Sequence, residues 1–364
     1  MVEQTGAVEC EREDGAYDPA RVRSRRLLFV FGLVGLLAVS ACVATFFGSV
    51  GPIGPGTPYK LSFSDAIDAI LGTGDSTDVT IFWNVRIPRV LLAGLVGGAL
   101  ACAGTAMQAV FRNSMADPFI IGVSSGAALG ASLAGLLGLT AAMGIFVAPS
   151  MAFVFAMATV LLVYKMGTVK GRVYVDTLLL SGVAVASFLG ALVSFTIYFA
   201  REEYHQLIPW LLGTLMNASW TPVLIVTVPI LAGVVTVALF GRDLNALLLG
   251  EETAHNLGSN PEMLKKLMLV IAALMTAGAV AFTGIIGFVG LIVPHITRLL
   301  VGADHRILVP AATLTGAIFL IWADTIARTI IPGQDLPVGV ITALCGGPFF
   351  LYLLRRSKMG GGSL

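Results

Sequence analysis

Long stretches without charge constrain this sequence more than any other feature. Eight segments of 17 residues or more contain no Asp, Glu, Lys or Arg, and the longest, residues 118–164, runs for 47 residues. A helix needs about 20 mostly apolar residues to cross the hydrocarbon core of a membrane. Only 12% of all residues are charged, against about 25% in a soluble domain. The sequence therefore predicts an all-α polytopic membrane protein, and it excludes a soluble enzyme and a disordered chain.

The apolar runs predict about ten membrane spans in a single transmembrane domain over residues 27–354. The 47-residue run must hold two helices, because Gly135, Gly138 and Gly144 mark a turn near its middle. The predicted spans are residues 27–48, 89–111, 118–137, 144–164, 176–200, 222–240, 263–283, 285–301, 307–330 and 336–354.

The basic residues orient these spans, because cytoplasmic loops retain Lys and Arg. With the amino terminus inside, the inner segments hold 17 of the 22 basic residues and the outer segments hold 5. We therefore predict a multi-pass protein of the cell membrane with both termini in the cytoplasm. Residues 1–26 form a polar leader and residues 355–364 a short tail. The outer segment 201–221, with Trp210 and Trp220, is expected to hold a short helix at the membrane surface.

Two local patterns are misleading. Val39–Cys42 resembles a lipoprotein cleavage box, but the surrounding apolar run of 22 residues is too long for a secretory signal, so we predict an uncleaved first span. The cysteines and histidines lack metal-ligand spacing, so we expect no metal site and assign the cysteines to packing. These residues are Cys10, Cys42, Cys102, Cys345, His205, His255, His295 and His305.

The charges inside the spans are too few for several functions. No span carries the paired carboxylates and lysines that an ion-coupled carrier needs at mid-depth, and no potassium-filter sequence is present. Asp324 and Arg328 lie one helical turn apart and are predicted to pair with each other. None of the six lysines follows a glycine, so the phosphate-binding loop of an ATPase is missing. We expect no catalytic residues and no bound cofactor, with any ATP held by a separate subunit, and the net charge of +1 predicts no nucleic-acid partner.

The longest internal cytoplasmic segment, residues 241–262, has the pattern of two short helices. Leucines at helical spacing precede Gly250, and Glu251–Leu257 can form a second helix that Gly258 ends as a carboxyl-terminal cap. Two short helices with a glycine between them would form a compact docking surface at the inner face of the membrane. A solvated connector remains the alternative on this pattern alone.

Several long motifs, in order over roughly residues 80–354, carry a family resemblance. The motifs are Arg86–Arg89, Gly104–Gln108, Arg112–Pro118, Gly122–Ala127, Leu249–Glu251, Leu257–Gly258, Gly284–His295, Asp304–Arg306, Ala323–Asp324 and Leu336–Gly339. With these motifs the chain resembles the FecCD-type permease subunits of ATP-binding-cassette (ABC) importers for cobalamin, haem and ferric siderophores. It departs at Asn113–Ala116, where the family often has Asn-Pro-Leu-Ala.

The resemblance implies a bundle like that of the cobalamin permease, with ten spans and both termini inside. It also implies the partners: a second permease copy, most simply in a homodimer, two ABC ATPase subunits that bind ATP, and an extracytoplasmic substrate-binding protein. Three groups of site residues follow from the matching positions. They are Leu248, Gly250, Glu251, Leu257 and Gly258 for coupling to the ATPase; Arg86, Arg89 and Arg328 for docking of the binding protein; and Asn113, Met115, Tyr174 and Val175 for a cytoplasmic gate.

The sequence analysis therefore favours the permease subunit of an importer for a metal chelate. We favour cobalamin, with ferric siderophore or haem as the alternative in the same role. A proton-coupled carrier and a membrane-embedded enzyme are the alternatives of another class. The first would work without an ATPase, and the second would need catalytic polar residues at one membrane depth.

Overall fold

A computed structural model describes residues 19–47, 63–199, 204–331 and 334–359. Most of the predicted leader, including Cys10, lies outside these residues, as do the end of the tail and the His205 side chain. In chain order the helices are α1 (Pro19–Phe46), α2 (Phe63–Leu71), α3 (Ser76–Ile81), α4 (Ile87–Val110), α5 (Val123–Leu136), α6 (Leu139–Met143), α7 (Val147–Gly167), α8 (Val175–Phe199), α9 (Tyr204–Leu211), α10 (Trp220–Leu239), α11 (Gly241–Leu248), α12 (Glu251–Asn256), α13 (Pro261–Thr283), α14 (Val289–Val301), α15 (His305–Ala327) and α16 (Val338–Met359).

Ten apolar helices account for the ten predicted spans. Among the described residues, seven helices are long and apolar enough to cross a membrane, and three shorter ones, in α5, α14 and α16, are also apolar. The strands β1 (Thr168–Val169) and β2 (Arg172–Val173) form one small hairpin. The prediction of an all-α polytopic membrane protein is thus confirmed. Below, the end of the bundle that carries α11 and α12 is called inner and the opposite end outer, after the predicted orientation.

The second apolar helix starts earlier than predicted. The sequence predicts a span over 89–111, whereas one continuous helix runs through Ser76–Val110. Pro88 lies in the first turn of α4 and therefore inside the continuous helix. A proline there has no N–H to donate to the preceding turn, which normally interrupts a helix. A π-helical turn, Phe82–Arg86, joins α3 to α4 just before this proline. Wide turns of this kind commonly absorb such an interruption.

The eighth apolar helix starts later than predicted, at Val289 instead of residue 285. Gly284 and Phe288 both have φ of 68°, a left-handed conformation that a right-handed helix cannot contain. Irregular backbone is tolerated at membrane depth only where protein surrounds it. Accordingly, the N–H of Thr214 donates to the carbonyl of Thr283 at 2.7 Å, directly before this segment.

Helix α4 is the centre of the bundle and contacts α10, α13, α14 and α15. Its buried face is rich in Ala and Gly, which lets neighbouring backbones approach closely. A Cβ atom added at Gly104 would collide with the carbonyl of Gly290 in α14, and one added at Gly97 with the carbonyl of Gly316 in α15. The small residues of α4 therefore fix its distance to both neighbours.

The substitution Gly104→Ala should destabilise the protein by about 1–3 kcal/mol, because the methyl group would push α4 and α14 apart. Gly278→Ala is the matched control in α13, since a Cβ there meets nothing within 4 Å. It should be neutral or gain up to about 1 kcal/mol from helix propensity. Thermal unfolding in detergent compares the two. Equal melting temperatures for Gly104→Ala and the unchanged chain would mean that the two backbones do not meet at Gly104.

Candidate coupling and docking sites

The segment between α10 and α13 folds as the predicted pair of short helices. Gly250 separates α11 from α12 with φ of 116°, a conformation that side chains rarely adopt. Helix α12 ends in a Schellman motif around Gly258, whose N–H donates to the carbonyl of His255 at 2.9 Å. The N–H of Ser259 donates to Ala254 at 3.0 Å, which completes the motif. Both predicted glycines are thus required by backbone geometry.

Leucine side chains point into solvent along this segment. Leu249 is 69% exposed and Leu257 is 65% exposed, while Leu248 is half-buried. The segment also carries Arg242, Asp243 and Glu252, so we expect it to lie outside the hydrocarbon core of the membrane. An exposed apolar patch with a polar rim is typical of an interaction surface. Sequence analysis selected Leu248 and missed Leu249, because helical spacing alone does not show which leucine faces outward.

Glu251 is held within the chain by Lys265, a residue that sequence analysis missed. The Lys265 ammonium contacts Glu251 at 3.1 Å and Glu262 at 2.6 Å. It also donates to the carbonyl of Val173 at 3.2 Å. The i, i+3 spacing of Glu262 and Lys265 was the one signal in the sequence that predicts part of this cluster.

The hairpin that contributes Val173 joins α7 to α8. Its turn residues Lys170 and Gly171 have φ of 49° and 81°, as a type I′ turn requires. The predicted gate residues follow directly. Tyr174, half-exposed, donates its N–H to the carbonyl of Gly167 at 3.1 Å, and Val175 is the first residue of α8.

The other predicted gate residues lie in the loop between α4 and α5. The exposed Asn113 accepts a hydrogen bond from the N–H of Met115 at 2.9 Å, which makes a rigid Asx turn. Two residues later, Asp117 accepts from the N–H of Phe119 at 2.8 Å. Burial raises the pKa of the Asp117 carboxyl to about 6, against the opposing effect of that hydrogen bond. The loop has a fixed shape, and its role as a gate stays a prediction.

An ion-pair cluster at the outer end of the bundle contains two of the predicted docking arginines. Arg89 binds Asp324 through its Nε at 3.1 Å and its Nη2 at 2.9 Å, and it binds Asp335 through its Nη1 at 2.6 Å. Asp324 also pairs with Arg328, with 3.4 Å between Oδ2 and Nε. This confirms the predicted pairing of Asp324 with Arg328, and it adds Asp335, which sequence analysis missed.

The end of α1 is capped by the other arginine contacts. Arg86 donates to the carbonyls of Thr45 and Phe46, both at 3.1 Å. Arg328 donates to the carbonyl of Ala44 at 2.5 Å. The last carbonyls of a helix lack partners within the helix, and the negative end of its dipole favours cations there. The two guanidinium groups therefore fix the outer end of α1 to α4 and α15.

These contacts leave the three arginines little exposed surface. Arg86 and Arg328 are each 2% exposed, and Arg89 is 7% exposed. The sequence analysis expected three side chains that meet carboxylates of a binding protein, whereas the structure engages all three inside the chain. Direct docking would require the arginines to exchange these internal partners, so their docking role stays a prediction.

The two buried histidines, His295 and His305, contact neighbouring side chains of the bundle. His295 packs edge-on against Phe349 with 6.2 Å between ring centroids. His305 is within hydrogen-bonding distance of Asn245, 2.8 Å from its Oδ1. Within the described part of the chain, no group of three or more His, Cys, Asp or Glu side chains is placed to hold a metal ion.

A cavity of about 1030 Å³ lies at the outer end, between α5, α7, α9, α10 and α13. Aromatic residues such as Phe146, Trp210 and Phe282 line it, together with a few polar groups such as Asn217. Cavities that bind small molecules are commonly apolar with a small number of polar groups.

The sequence profile of the FecCD transport family matches residues 36–356, nearly the whole chain. The chain belongs to this family. Two FecCD relatives show the range of similarity. One is a cobalamin import system permease protein of Halobacterium salinarum, 43% identical over 88% of this chain and 86% of the relative. The other is a hemin transport system permease protein of Yersinia pestis, 41% identical over 76% of this chain and 84% of the relative.

A solved structure has the same architecture as this FecCD chain. It is a metal-chelate type ABC transporter in an inward-facing conformation, with a TM-score of 0.76 and 30% identity. The similarity covers 90% of this chain and 98% of the solved one. The named relatives are permease proteins and not enzymes. The helical bundle described above is therefore that of a multi-pass membrane permease.

Proposed function

We propose that this chain is the membrane permease of an ABC importer that moves a metal chelate across the cell membrane by alternating access. The observation that carries the proposal is the rigid α11–α12 segment with its exposed leucines, in a chain that belongs to a transport family. ATP is bound and hydrolysed by separate ATPase subunits that dock on this segment. A short rigid element of this kind transmits the motion of a partner as a rigid-body shift of the attached helices.

The assembly in this proposal contains two copies of the permease, two ATPase subunits and a substrate-binding protein on the outer side. Both chain termini lie in the cytoplasm, in agreement with the distribution of basic residues. Exposed apolar side chains such as Leu180, Phe188 and Tyr198 on α8 are available to lipid or to the second copy. The predicted gate residues lie at the inner end, Asn113 and Met115 in the loop between α4 and α5, and Tyr174 and Val175 where α8 begins.

Cobalamin is the substrate that we propose. The relative named for cobalamin import supports it through 43% identity. The relative named for hemin transport is almost as similar, so haem is the second candidate, and ferric siderophores are the third. Cobalamin and haem each contain a tetrapyrrole macrocycle, and the aromatic and apolar lining of the outer cavity supports contact with such a ring.

Uptake by the reconstituted complex tests the function. Proteoliposomes are prepared with the permease in the membrane, its ATPase on the luminal side and its binding protein outside. They should accumulate labelled cobalamin only when ATP is enclosed in the lumen. A hydrolysis-deficient ATPase is the control and should abolish accumulation. Haemin and a ferric siderophore are compared in the same assay, and preference for either would replace cobalamin as the substrate. Accumulation on a proton gradient without ATP would instead support the proton-coupled carrier.

A further inference from the structure

Lys265 is among the most deeply buried charged side chains in the described part of the chain, at 1% exposure. A buried ammonium group is costly unless ion pairs and hydrogen bonds replace its lost water. Lys265 meets this requirement fully. Its three donors match three acceptors, on Glu251, Glu262 and Val173.

The three acceptors belong to three different segments. Glu251 is the first residue of α12, Glu262 lies in the first turn of α13, and Val173 is the last residue of the hairpin before α8. Glu262 strengthens the junction, because its second carboxylate oxygen accepts the N–H of Val173 at 2.9 Å. Both backbone polar groups of Val173 are thus bound by side chains of α13.

We propose that Lys265 is a positioning residue that links the ATPase-facing helix α12 to the hairpin at the predicted gate. The proposal rests on the proposed function and extends it to the route by which the motion of the ATPase reaches α8. Tyr174 directly follows Val173, whose backbone is bound by Lys265 and Glu262, and α8 begins one residue after Tyr174. A shift of α12 that Lys265 transmits would therefore move the start of α8 together with Tyr174.

The covalent connection alone does not fix this geometry. Helix α12 is joined to α13 by residues 257–260, and the hairpin comes from a part of the chain about 90 residues earlier. Only the contacts of Lys265 and Glu262 tie the hairpin to the beginning of α13 with charged groups. Charge-assisted hydrogen bonds are the stronger class, which suits a junction that has to transmit force.

The test uses the complete transporter complex in proteoliposomes and the variant Lys265→Gln. The neighbouring substitution Lys266→Gln is the matched control, because it removes the same charge from the same turn. It leaves the three contacts of Lys265 and the bond between Glu262 and Val173 in place, and Lys266 acts on Glu262 by longer-range electrostatics. Two quantities are measured: the number of ATP molecules hydrolysed per substrate molecule transported, and the labelling rate of Tyr174→Cys with and without ATP. The labelling experiment uses a background in which the four native cysteines are replaced by alanine.

The proposal predicts that Lys265→Gln keeps hydrolysing ATP but transports less. The number of ATP molecules per transported substrate should rise at least about tenfold, the effect of losing a single charge-assisted hydrogen bond, because the substitution removes the charge from all three contacts of Lys265. The ATP-dependent change in labelling of Tyr174→Cys should disappear. Lys266→Gln should behave like the unchanged protein in both assays. If the unchanged complex itself neither hydrolyses ATP nor transports, the proposed function fails, and that result is distinct from a failure of this inference.

A second variant covers the case in which Lys265→Gln does not assemble. Glu262→Gln leaves the pair of Lys265 and Glu251 in place. It weakens the ion pair of Glu262 with Lys265 and the hydrogen bond from the N–H of Val173, so we expect the same changes at a smaller size. Three results would overturn the proposal. They are a normal ATP ratio and labelling response in assembled Lys265→Gln, a parallel loss of hydrolysis and transport in both variants, and a failure of both variants to assemble while Lys266→Gln assembles.

Discussion

Replacing Arg89 by glutamate is expected to destabilise the folded permease more than any other single change considered for this chain. Arg89 neutralises Asp324 and Asp335 in a cluster where its own side chain is 9% exposed and that of Asp324 is 2% exposed. The substitution would leave three carboxylates together, with Arg328 as the countercharge that pairs with Asp324. Removing one partner of a buried ion pair typically costs about 3–5 kcal/mol, and reversing its charge adds repulsion. Thermal unfolding in detergent and the yield of membrane-inserted protein measure the effect.

Arg86→Gln is the comparison at the same end of the bundle. Arg86 donates to two helix carbonyls, so glutamine leaves these carbonyls short of a donor without reversing a charge. Its cost should be near 1–2 kcal/mol, the range for interactions at helix ends. The docking prediction for Arg89 would instead be supported by a stable Arg89→Glu protein. Its melting temperature would be unchanged, and its affinity for the binding protein would be selectively weakened.

The features that sequence analysis predicted well are those that short-range physics determines. The pair of short helices around Gly250 follows from local spacing and from the conformational freedom of glycine, and the structure contains it. The pairing of Asp324 with Arg328 follows from helical periodicity, because residues four apart share a face. The ten apolar helices follow from the thickness of the membrane and the absence of charge.

The missed features depend on contacts between distant parts of the chain. Arg89 and Asp335 are 246 residues apart in sequence, and Lys265 and Val173 are 92 apart, so no local pattern joins them. The late start of α14 has a similar origin, since the irregular residues 284–288 are stable only because neighbouring protein surrounds them. The family resemblance implied that Arg86, Arg89 and Arg328 face a binding protein, whereas tertiary packing buries their side chains.

The proposed docking surface for the ATPase should lose its function when its exposed leucines, Leu249 and Leu257, become charged. The double variant Leu249→Asp with Leu257→Asp is expected to fold normally, because both side chains are largely in solvent. Burial of a leucine contributes about 1.5–3 kcal/mol. Loss of both contacts should therefore weaken binding of the ATPase by roughly a hundredfold or more. Copurification of the ATPase with the permease, and ATP-dependent uptake, should both be lost.

The control for this variant adds the same charge without removing an apolar contact. Thr253→Asp with Asn256→Asp places two carboxylates on exposed positions of α12 and leaves both leucines in place. If the leucines provide most of the binding free energy, most of the ATPase stays bound to the control variant. Raising the salt concentration should restore the rest of the binding, because salt screens the new charges. The leucine variant should stay dissociated at high salt, because lost apolar burial is not screened. An intact complex in the leucine variant would place the ATPase contact elsewhere on the inner end of the bundle, and Lys265 would then have no motion of α12 to transmit.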